Sequence, residues 1–502
     1  MKQGKIILDK DFIISEIDEK VFSSFVEPLG RCVYGGLYEP GHPTADEDGF
    51  RQDVMEKVKP LHLTLNRFPG GNFVSTYRWE DGIGPKELRP RRAEVAWQCV
   101  EPNQFGLDEF SKWSQKNGSD VMMTVNLATR GVLEAMDCVE YCNHPGGTYW
   151  SEKRKEHGFE KPFDYKYWCL SNEIDGVWQV GQKPAREYGL LAREASKAMK
   201  LIDSDIKTVL AGSSSPGMDT FPAFDLEALD IAYDQIDYLS VHHYIGNFDN
   251  DSAAYLAKPL VTNQFLEDVA SVIKTIRAKH RTDHQVYVSF DEFNTWHTIA
   301  DEERFNEKWQ VAPPLLEDVY TAEDVLALGG MLLAVLRHAD MVKIACVSEL
   351  VNCISQLRTR NDGGCWVLPP FYAFLHYCQY GRGTALETKV VSDSYTTAKF
   401  PVVPYLDAQA VLGKDGSVTV FAINRSLEEE LELEVDLRGF ENMYVSKHIV
   451  VTADDPKATN TEECPDCVVP TEDGNAVCKD GKVSAVLKKM SWNVIKLLNK
   501  TE

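Results

Sequence analysis

From about residue 60 to residue 350, short apolar runs rich in β-branched and aromatic residues alternate with longer stretches whose apolar positions recur every three to four residues. That alternation predicts parallel strands joined through helices. Eight runs read as strands: Leu63–Phe68, Val121–Leu127, Cys138–Cys142, Tyr165–Ser171, Thr208–Gly212, Tyr238–His242, Val286–Asp291 and Val342–Val347. Helical periodicity is clearest over Ala185–Ile202, Asn263–Lys279 and Ala322–His338. Eight parallel strands with crossovers predict an α/β fold of the (β/α)8, TIM-barrel type rather than an open sheet. The spacings after the first and after the sixth of these runs are long, and predict loop excursions over the active face.

Beyond about residue 385 the pattern becomes all-β. Ala408–Leu412 and Ser417–Ala422 flank a Lys414-Asp415-Gly416 turn, and Leu431–Leu437 alternates aliphatic and acidic residues strictly, as a half-buried strand does. With His448–Val451, Val483–Leu487 and Trp492–Leu498, these runs predict a β-sandwich. The early strand-like piece Lys5–Leu8 is expected to join it. The expected organisation is an N-terminal strand within 1–18, a catalytic barrel over 19–384 and a sandwich over 385–502, packed rigidly because no low-complexity linker separates them.

Composition narrows the partners. The 502 residues carry 77 Asp+Glu against 53 Lys+Arg, a formal charge of −24, with 43% hydrophobic residues. The hydrophobic fraction is that of a folded protein. The negative balance argues against nucleic acid or an anionic membrane, both of which need a basic face. Acids in runs such as Glu428–Asp436 read as a solvated sheet face. The N-terminal residues do not read as a secretory signal, and Val325–Leu336, the longest apolar candidate, is too short to span a membrane. Twelve cysteines, several inside apolar runs, point to a reducing, cytoplasmic compartment. Cys464 and Cys467, with Cys478 further on, lack a fourth ligand at zinc-like spacing and are expected to be free surface thiols.

Two of the acids sit where a barrel places its chemistry, at strand C-termini. Tyr167–Leu170 leads to Ser171-Asn172-Glu173, and Val286–Phe290 leads to Asp291-Glu292, on strands four and seven by this count. One acid closing an apolar strand is as readily a salt-bridged structural group; two, each amid aromatics, favour function. A carboxyl pair in a barrel mouth suits glycoside hydrolysis, one protonating the leaving oxygen and the other attacking the anomeric carbon or activating water. Asn172 is either a sugar-hydroxyl partner or a turn-forming Asn.

Several segments then resemble the motifs of glycoside hydrolase family 51. They are Phe25–Arg31 (FVEPLGR), Arg67–Phe73 (RFPGGNF), Arg78–Pro85 (RWEDGIGP), Glu140–Thr148 (EYCNHPGGT), Trp168–Gly176 (WCLSNEIDG) and Asp291–Asn294 (DEFN), in the family's order. The resemblance implies a barrel plus sandwich and a retaining, exo-acting α-L-arabinofuranosidase, often intracellular and often a homohexamer, acting on arabino-oligosaccharides. It implies Glu173 as acid/base and Glu292 as nucleophile, with Glu27, Asn72, Asn172 and Tyr244 lining the glycone pocket. His242 would lie near the end of strand six, with Trp97, Trp178 and Trp296 at the rim.

The residue types are consistent with those roles. Glu27 is able to accept from two sugar hydroxyls, or else to pair with Arg31. Gly70-Gly71 allows close backbone approach, or marks a plain turn. Arg67 would hold Glu292 ionised. The tryptophans offer flat faces to sugar rings, or pack. His242-His243 and His297 invite a metal reading that lacks a further ligand at suitable spacing, so neither metal nor cofactor is expected. One position departs from the family, which usually has Gln in a Gln-Leu-Val-Asn sequence after strand eight. This chain has Glu349-Leu350-Val351-Asn352. A third carboxylate there would push its neighbours' pKa upward or alter the accepted hydroxyl pattern. The alternatives are therefore the same mechanism with a β-xyloside or β-glucoside preference, and, in another class, a non-catalytic carbohydrate-binding protein.

Overall fold

The computed structural model describes residues 1–297 and 308–500. Eight parallel strands close a barrel in the order Ser23–Phe25, Leu65–Phe68, Asp120–Val125, Tyr167–Leu170, Lys207–Ala211, Tyr238–Ile245, Tyr287–Thr295 and Val342–Val347, the last pairing with the first. The lumen is filled by side chains, among them Phe25, Leu65, Met122, Cys169, Val209, Ile344 and Cys346, each 2% exposed or less. Such a packed interior leaves the strand C-termini as the place for polar groups.

Two strand expectations are corrected, and they offset each other. Cys138–Cys142 is not a strand but the second half of helix Val132–Asn143. Ala135, Cys138, Val139 and Cys142 form its buried face, a spacing of three and four that a five-residue window cannot distinguish from a buried strand. The true first strand, Ser23–Phe25, is three residues long and two of them are serine, too short and polar to register by pattern. It is held by parallel pairing to both neighbours and by Ser24 Oγ donating to the Val347 carbonyl at 2.9 Å. With one strand lost and one gained, Glu173 and Glu292 remain at strands four and seven.

The long connection between the second and third strands is an excursion of short 3-10 turns and the small hairpin Arg92–Glu94/Cys99–Glu101. The one after Tyr238–Ile245 is largely the helix Pro259–His280, which rises against the barrel wall and is not a loop over the active face. Pro259 at its first turn and Arg277, Lys279 and His280 in its last suit the helix dipole.

The C-terminal region is one nine-stranded sheet ordered Met443–Thr452, Ser491–Asn499, Val418–Asn424, Leu406–Leu412, Thr384–Ser392, Lys2–Glu16, Leu431–Arg438, Lys482–Leu487 and Val477–Lys479. The N-terminal strand lies inside it, sixth in that order, parallel to Leu431–Arg438 and antiparallel to Thr384–Ser392. Ile6, Leu8, Val420, Leu431, Leu433, Val435, Val483 and Leu497, from both ends of that order, share one core, so the sheet folds over itself as a sandwich. Leu431–Arg438 alternates buried and less buried positions as its sequence does.

Helix Ala322–Arg337 joins the two parts. It is capped by Thr321 and Asp324 and buried from Ala322 to Leu336, wedged between the barrel and the sheet. Its apolar run reflects burial on all sides. Among the described residues no helix is long and apolar enough to cross a membrane. Cys464 and Cys467 are not free thiols but a disulfide; the intervening turn holds their Cα atoms 5.8 Å apart, within bridging range. Cys478 is free and half-buried.

Candidate active site

The seventh strand delivers two consecutive acids to the barrel axis, which a regular strand cannot do, because adjacent side chains alternate. Its register shifts against both neighbours, between Ser289 and Glu292 on one side and Phe290 and Phe293 on the other. That bulge re-aims the chain. Asp291, wholly buried, meets the lumen residue Cys169, while Glu292 stands in the mouth. At the fourth strand the turn is made by Ser171 (φ 80°) and Glu173 (φ 42°), left-handed conformations unusual for such residues. The turn places Glu173 opposite Glu292, with an oxygen of each and His242 Nδ1 all within 4.8 Å of one another.

Arg67, 1% exposed on the second strand, organises this centre. Its Nη1 donates to Glu292 Oε1 at 2.6 Å and its Nη2 to Asn172 Oδ1 at 2.6 Å, while its Nε lies 3.4 Å from Asp291 Oδ2. His242 on the sixth strand lies between the acids. Its Nδ1 is 3.0 Å from Glu173 Oε1 and 3.4 Å from Glu292 Oε2; its Nε2 is 3.4 Å from Asp291 Oδ1. Burial works against its charge, but Glu292, Asp291 and Glu173 outweigh it and push the imidazole up to about 10. The ring is therefore a cation at neutral pH, donating from both nitrogens. Burial would raise the Asp291 carboxyl, yet Arg67, His242 and Ser240, which donates at 2.5 Å, hold it below its ordinary value.

Glu27 follows the first strand and forms the other wall. Its Oε1 accepts from the Phe73 amide and from Trp97 Nε1, both at 2.8 Å. It does not pair with Arg31, which grips Glu317 at 2.7 and 2.9 Å. Gly71, at φ 72°, and Gly70 explain this approach. A Cβ on Gly71 would fall on the Glu27 carboxylate, and one on Gly70 would lie 2.9 Å from Arg67 Cζ. Glu349, 1% exposed, sits behind Glu27 and accepts its backbone N–H at 3.0 Å. Burial first, and then Glu349 and Glu292, push the Glu27 carboxyl well up; burial does the same to Glu349.

All twelve residues singled out in the sequence lie in this one cluster. Trp178, half exposed, donates from Nε1 to Glu173 Oε2 at 2.8 Å. Tyr244 donates to Glu292 Oε2 at 3.2 Å, and Trp296 packs edge-on against it, 5.3 Å between ring centroids. Asn72 Oδ1 lies 3.4 Å from Asn172 Nδ2. Sequence reasoning passed over three supports. Asp291 was quoted but given no role, although two adjacent acids at a strand end were the signal. Gln179 donates to the Asn172 carbonyl at 2.9 Å, and Asp175 accepts from the Ser214 hydroxyl and amide. Neither carried a pattern to find it by.

Glu173, His242 and Glu292 are close enough to share a metal ion, but the fit is poor. His242 is already a cation and Arg67 occupies Glu292 Oε1, so a divalent ion would face two positive groups. His243 and His297 do not join the cluster. His243 bonds Thr262 and is pushed down to about 4 by burial, and His297 pairs with Asp324 at 2.7 Å. What the arrangement offers is two close carboxyls of unlike surroundings in a mouth lined with hydroxyl-binding groups and rings.

Comparison with known proteins bears on that chemistry. The profile of the alpha-L-arabinofuranosidase 1 domain matches residues 57–255, and that of the alpha-L-arabinofuranosidase C-terminal domain matches residues 291–491. An intracellular exo-alpha-(1->5)-L-arabinofuranosidase of Halalkalibacterium halodurans is 47% identical over 493 residues, 98% of each chain. An exo-alpha-(1->6)-L-arabinofuranosidase of Bifidobacterium longum is 42% identical over 508 residues, 99% of this chain and 97% of that one. Among solved structures, AbfB, a family 51 alpha-L-arabinofuranosidase from Bifidobacterium longum, superposes with a TM-score of 0.94 at 37% identity, over 99% of this chain and 100% of that one.

Proposed function

The chain belongs to glycoside hydrolase family 51, the α-L-arabinofuranosidases, and we propose that it is an exo-acting, retaining glycosidase releasing terminal α-L-arabinofuranosyl units from arabino-oligosaccharides. The observation that carries the mechanism is the carboxyl separation. An oxygen of Glu173 and one of Glu292 lie within 4.8 Å of each other, which supports the ~5–5.5 Å carboxyl spacing of retaining enzymes over the ~6.5–9.5 Å of inverting ones.

In this reading Glu292 attacks the anomeric carbon while Glu173 gives its proton to the departing glycosidic oxygen, leaving a glycosyl ester on Glu292. Glu173, now a carboxylate, takes a proton from water as that water attacks the same carbon, and the ester bond breaks to restore Glu292. Arg67 on Oε1 and Tyr244 on Oε2 keep Glu292 aimed. His242, charged between the acids, stabilises negative charge on whichever carboxyl carries it. Asn172, with Oδ1 taken by Arg67, turns its amide N–H groups towards the sugar side, and Glu27 and Asn72 complete the glycone wall. The half-exposed Trp178 and the ring of Trp296 flank the leaving-group side.

The relatives' names support an intracellular location and leave (1→5) and (1→6) linkages both within reach. A homo-oligomer is proposed from family resemblance alone. The test is NMR of the first-formed sugar from an aryl α-L-arabinofuranoside, with Glu292→Ala alongside. Retained anomeric configuration is expected, with a fall in kcat of roughly 10³-fold or more, in the range of removing a reacting group. Inversion sinks the mechanism. Undiminished turnover by Glu292→Ala sinks the nucleophile, and turnover of β-D-xyloside but not of arabinofuranoside would move the substrate to the Glu349-altered alternative.

A further inference from the structure

Asp291 is wholly buried, so a sugar in the mouth does not touch it. The bulge of the seventh strand turns its carboxylate beneath the mouth, where Oδ2 lies 3.6 Å from Cys169 Sγ in the barrel lumen. A charge in such a place is costly without partners, and its partners are the two cations of the site. Each of them reaches from Asp291 to a reacting carboxyl. Arg67 sets Nε 3.4 Å from Asp291 Oδ2 and Nη1 2.6 Å from Glu292 Oε1. His242 sets Nε2 3.4 Å from Asp291 Oδ1 and Nδ1 3.0 Å from Glu173 Oε1. Arg67 Nε is buried with no hydrogen-bond partner, so the charge of Asp291 is what faces it.

Ser240 fixes a proton. Its hydroxyl has one hydrogen, which it gives to Asp291 Oδ1 at 2.5 Å, so towards His242 Nε2, 3.2 Å away, it can only accept. The imidazole therefore carries a hydrogen on Nε2. Nδ1 faces Glu173 at 3.0 Å and Glu292 at 3.4 Å, and with three acids around the ring a second hydrogen is held there. The ring is thus a donor towards both reacting carboxyls. In the first displacement negative charge leaves Glu292, as its ester forms, and appears on Glu173, as its proton departs; the second displacement returns it. His242 stands beside both resting places of that charge, and the anion behind the ring keeps it charged and aimed while the charge moves.

We infer that Asp291 is a positioning residue for the hydrolysis, acting through Arg67 and His242 to hold the guanidinium on the nucleophile and the imidazolium between the two reacting carboxyls. This rests on the double-displacement reading above. The charged and titratable groups facing His242 are Glu173, Glu292 and Asp291, with Asp175 further off. Those facing Asp291 are Arg67, His242 and the thiols of Cys169 and Cys346. Glu292 also meets both cations, but it reacts, whereas the charge of Asp291 is constant through the cycle.

The test is Asp291→Asn in the full-length protein. It is read by kcat for an aryl α-L-arabinofuranoside and by NMR titration of histidine-labelled protein, with the His242 signal assigned by its loss in His242→Asn. The amide keeps the size of the side chain and an acceptor for Ser240, but sets an NH2 group where Asp291 met a cation. The fall expected in kcat is about tenfold or more. The His242 titration is expected to move down by about 1–3 pH units, the effect of removing an opposite charge at this range. Ser240→Ala removes only a hydroxyl and is expected to move both readouts in the same direction by less. An unchanged kcat in folded Asp291→Asn overturns the proposal. So does a fallen kcat with an unmoved His242 titration, the signature of an acid that only supports the fold. If Asp291→Asn does not fold, a Ser240→Ala variant with neither readout moved overturns it as well. Inverted product or no arabinofuranoside turnover in wild type defeats the double-displacement reading; in an active, retaining enzyme the failures above defeat this proposal alone.

Discussion

At the scale of single residues, the site is a problem in placing charge. Five acids, Glu27, Glu173, Asp291, Glu292 and Glu349, are buried around two cations, Arg67 and His242. Burying ions is costly unless they are paired, and the cluster meets that cost unevenly. Asp291 and Glu292 receive the cations; Glu27 and Glu349 are pushed towards the neutral form. His242 carries a pH consequence. Its folded value of about 10 stands above the ordinary 6.5, so the folded state binds its proton more tightly. That stabilisation is complete below pH 6.5 and is lost as pH rises towards 10. Urea midpoints measured at pH 6, 8 and 10 should fall more steeply for wild type than for His242→Asn; parallel curves would remove His242 as the cause. Gly71 tests the geometry. Gly71→Ala forces an alanine to φ 72° and ψ −168°, a region essentially reserved for glycine, at roughly 1–3 kcal/mol, and drives a methyl into the Glu27 carboxylate. A fall in kcat/KM of about tenfold or more is expected with an aryl arabinofuranoside, and an unchanged value would show that Glu27 is free to move.

At the scale of elements, pattern found what repeats and missed what is short or held from outside. The acids at strands four and seven were legible because an acid ending an apolar run is conspicuous, and Leu431–Arg438 because its alternation is strict. Ser23–Phe25 was not legible. Its three residues have no periodicity to show, and it is a strand only because two neighbours hold it. Cys138–Cys142 was misread because a buried helix face and a buried strand look alike over five residues. Within the site, the residue types of Glu27, Arg67 and Asn172 were readable, but their pairing was not. Arg31 lay four residues from Glu27 and took Glu317 instead, a partner 286 residues away. The bulge that turns both Asp291 and Glu292 to the axis leaves no mark in sequence either, since it consists in a mismatch of register with two other strands.

At the scale of the whole molecule, the barrel and the sheet share buried surface. Phe421, Ile423, Ile449, Val451, Trp492 and Val494 of the sheet belong to the barrel's hydrophobic core, while Val420, Ile495 and Leu497 of the same strands face the sandwich's own. Gly329 of the wedged helix has no room for a side chain, since a Cβ would lie 2.7 Å from the Trp492 ring. Across the same seam Asp407 of the sheet accepts from Arg337 of that helix at 2.8 Å and from the buried Arg425 at 2.5 Å. Neither part can unfold without stripping an apolar face from the other, so large independent domains are a poor description of this chain's stability. Scanning calorimetry should show one transition, coincident with loss of far-UV circular dichroism. Asp407→Ala strands Arg425 in the interior. Its cost is expected to be roughly 3 kcal/mol, the low end for a broken buried pair, because Arg337 is 30% exposed and finds water. The variant should melt lower and still as one unit. Two resolved transitions in wild type would mean that the seam is weaker than its packing implies. A split confined to Asp407→Ala would locate the coupling in that ion pair and not in the Trp492 contact.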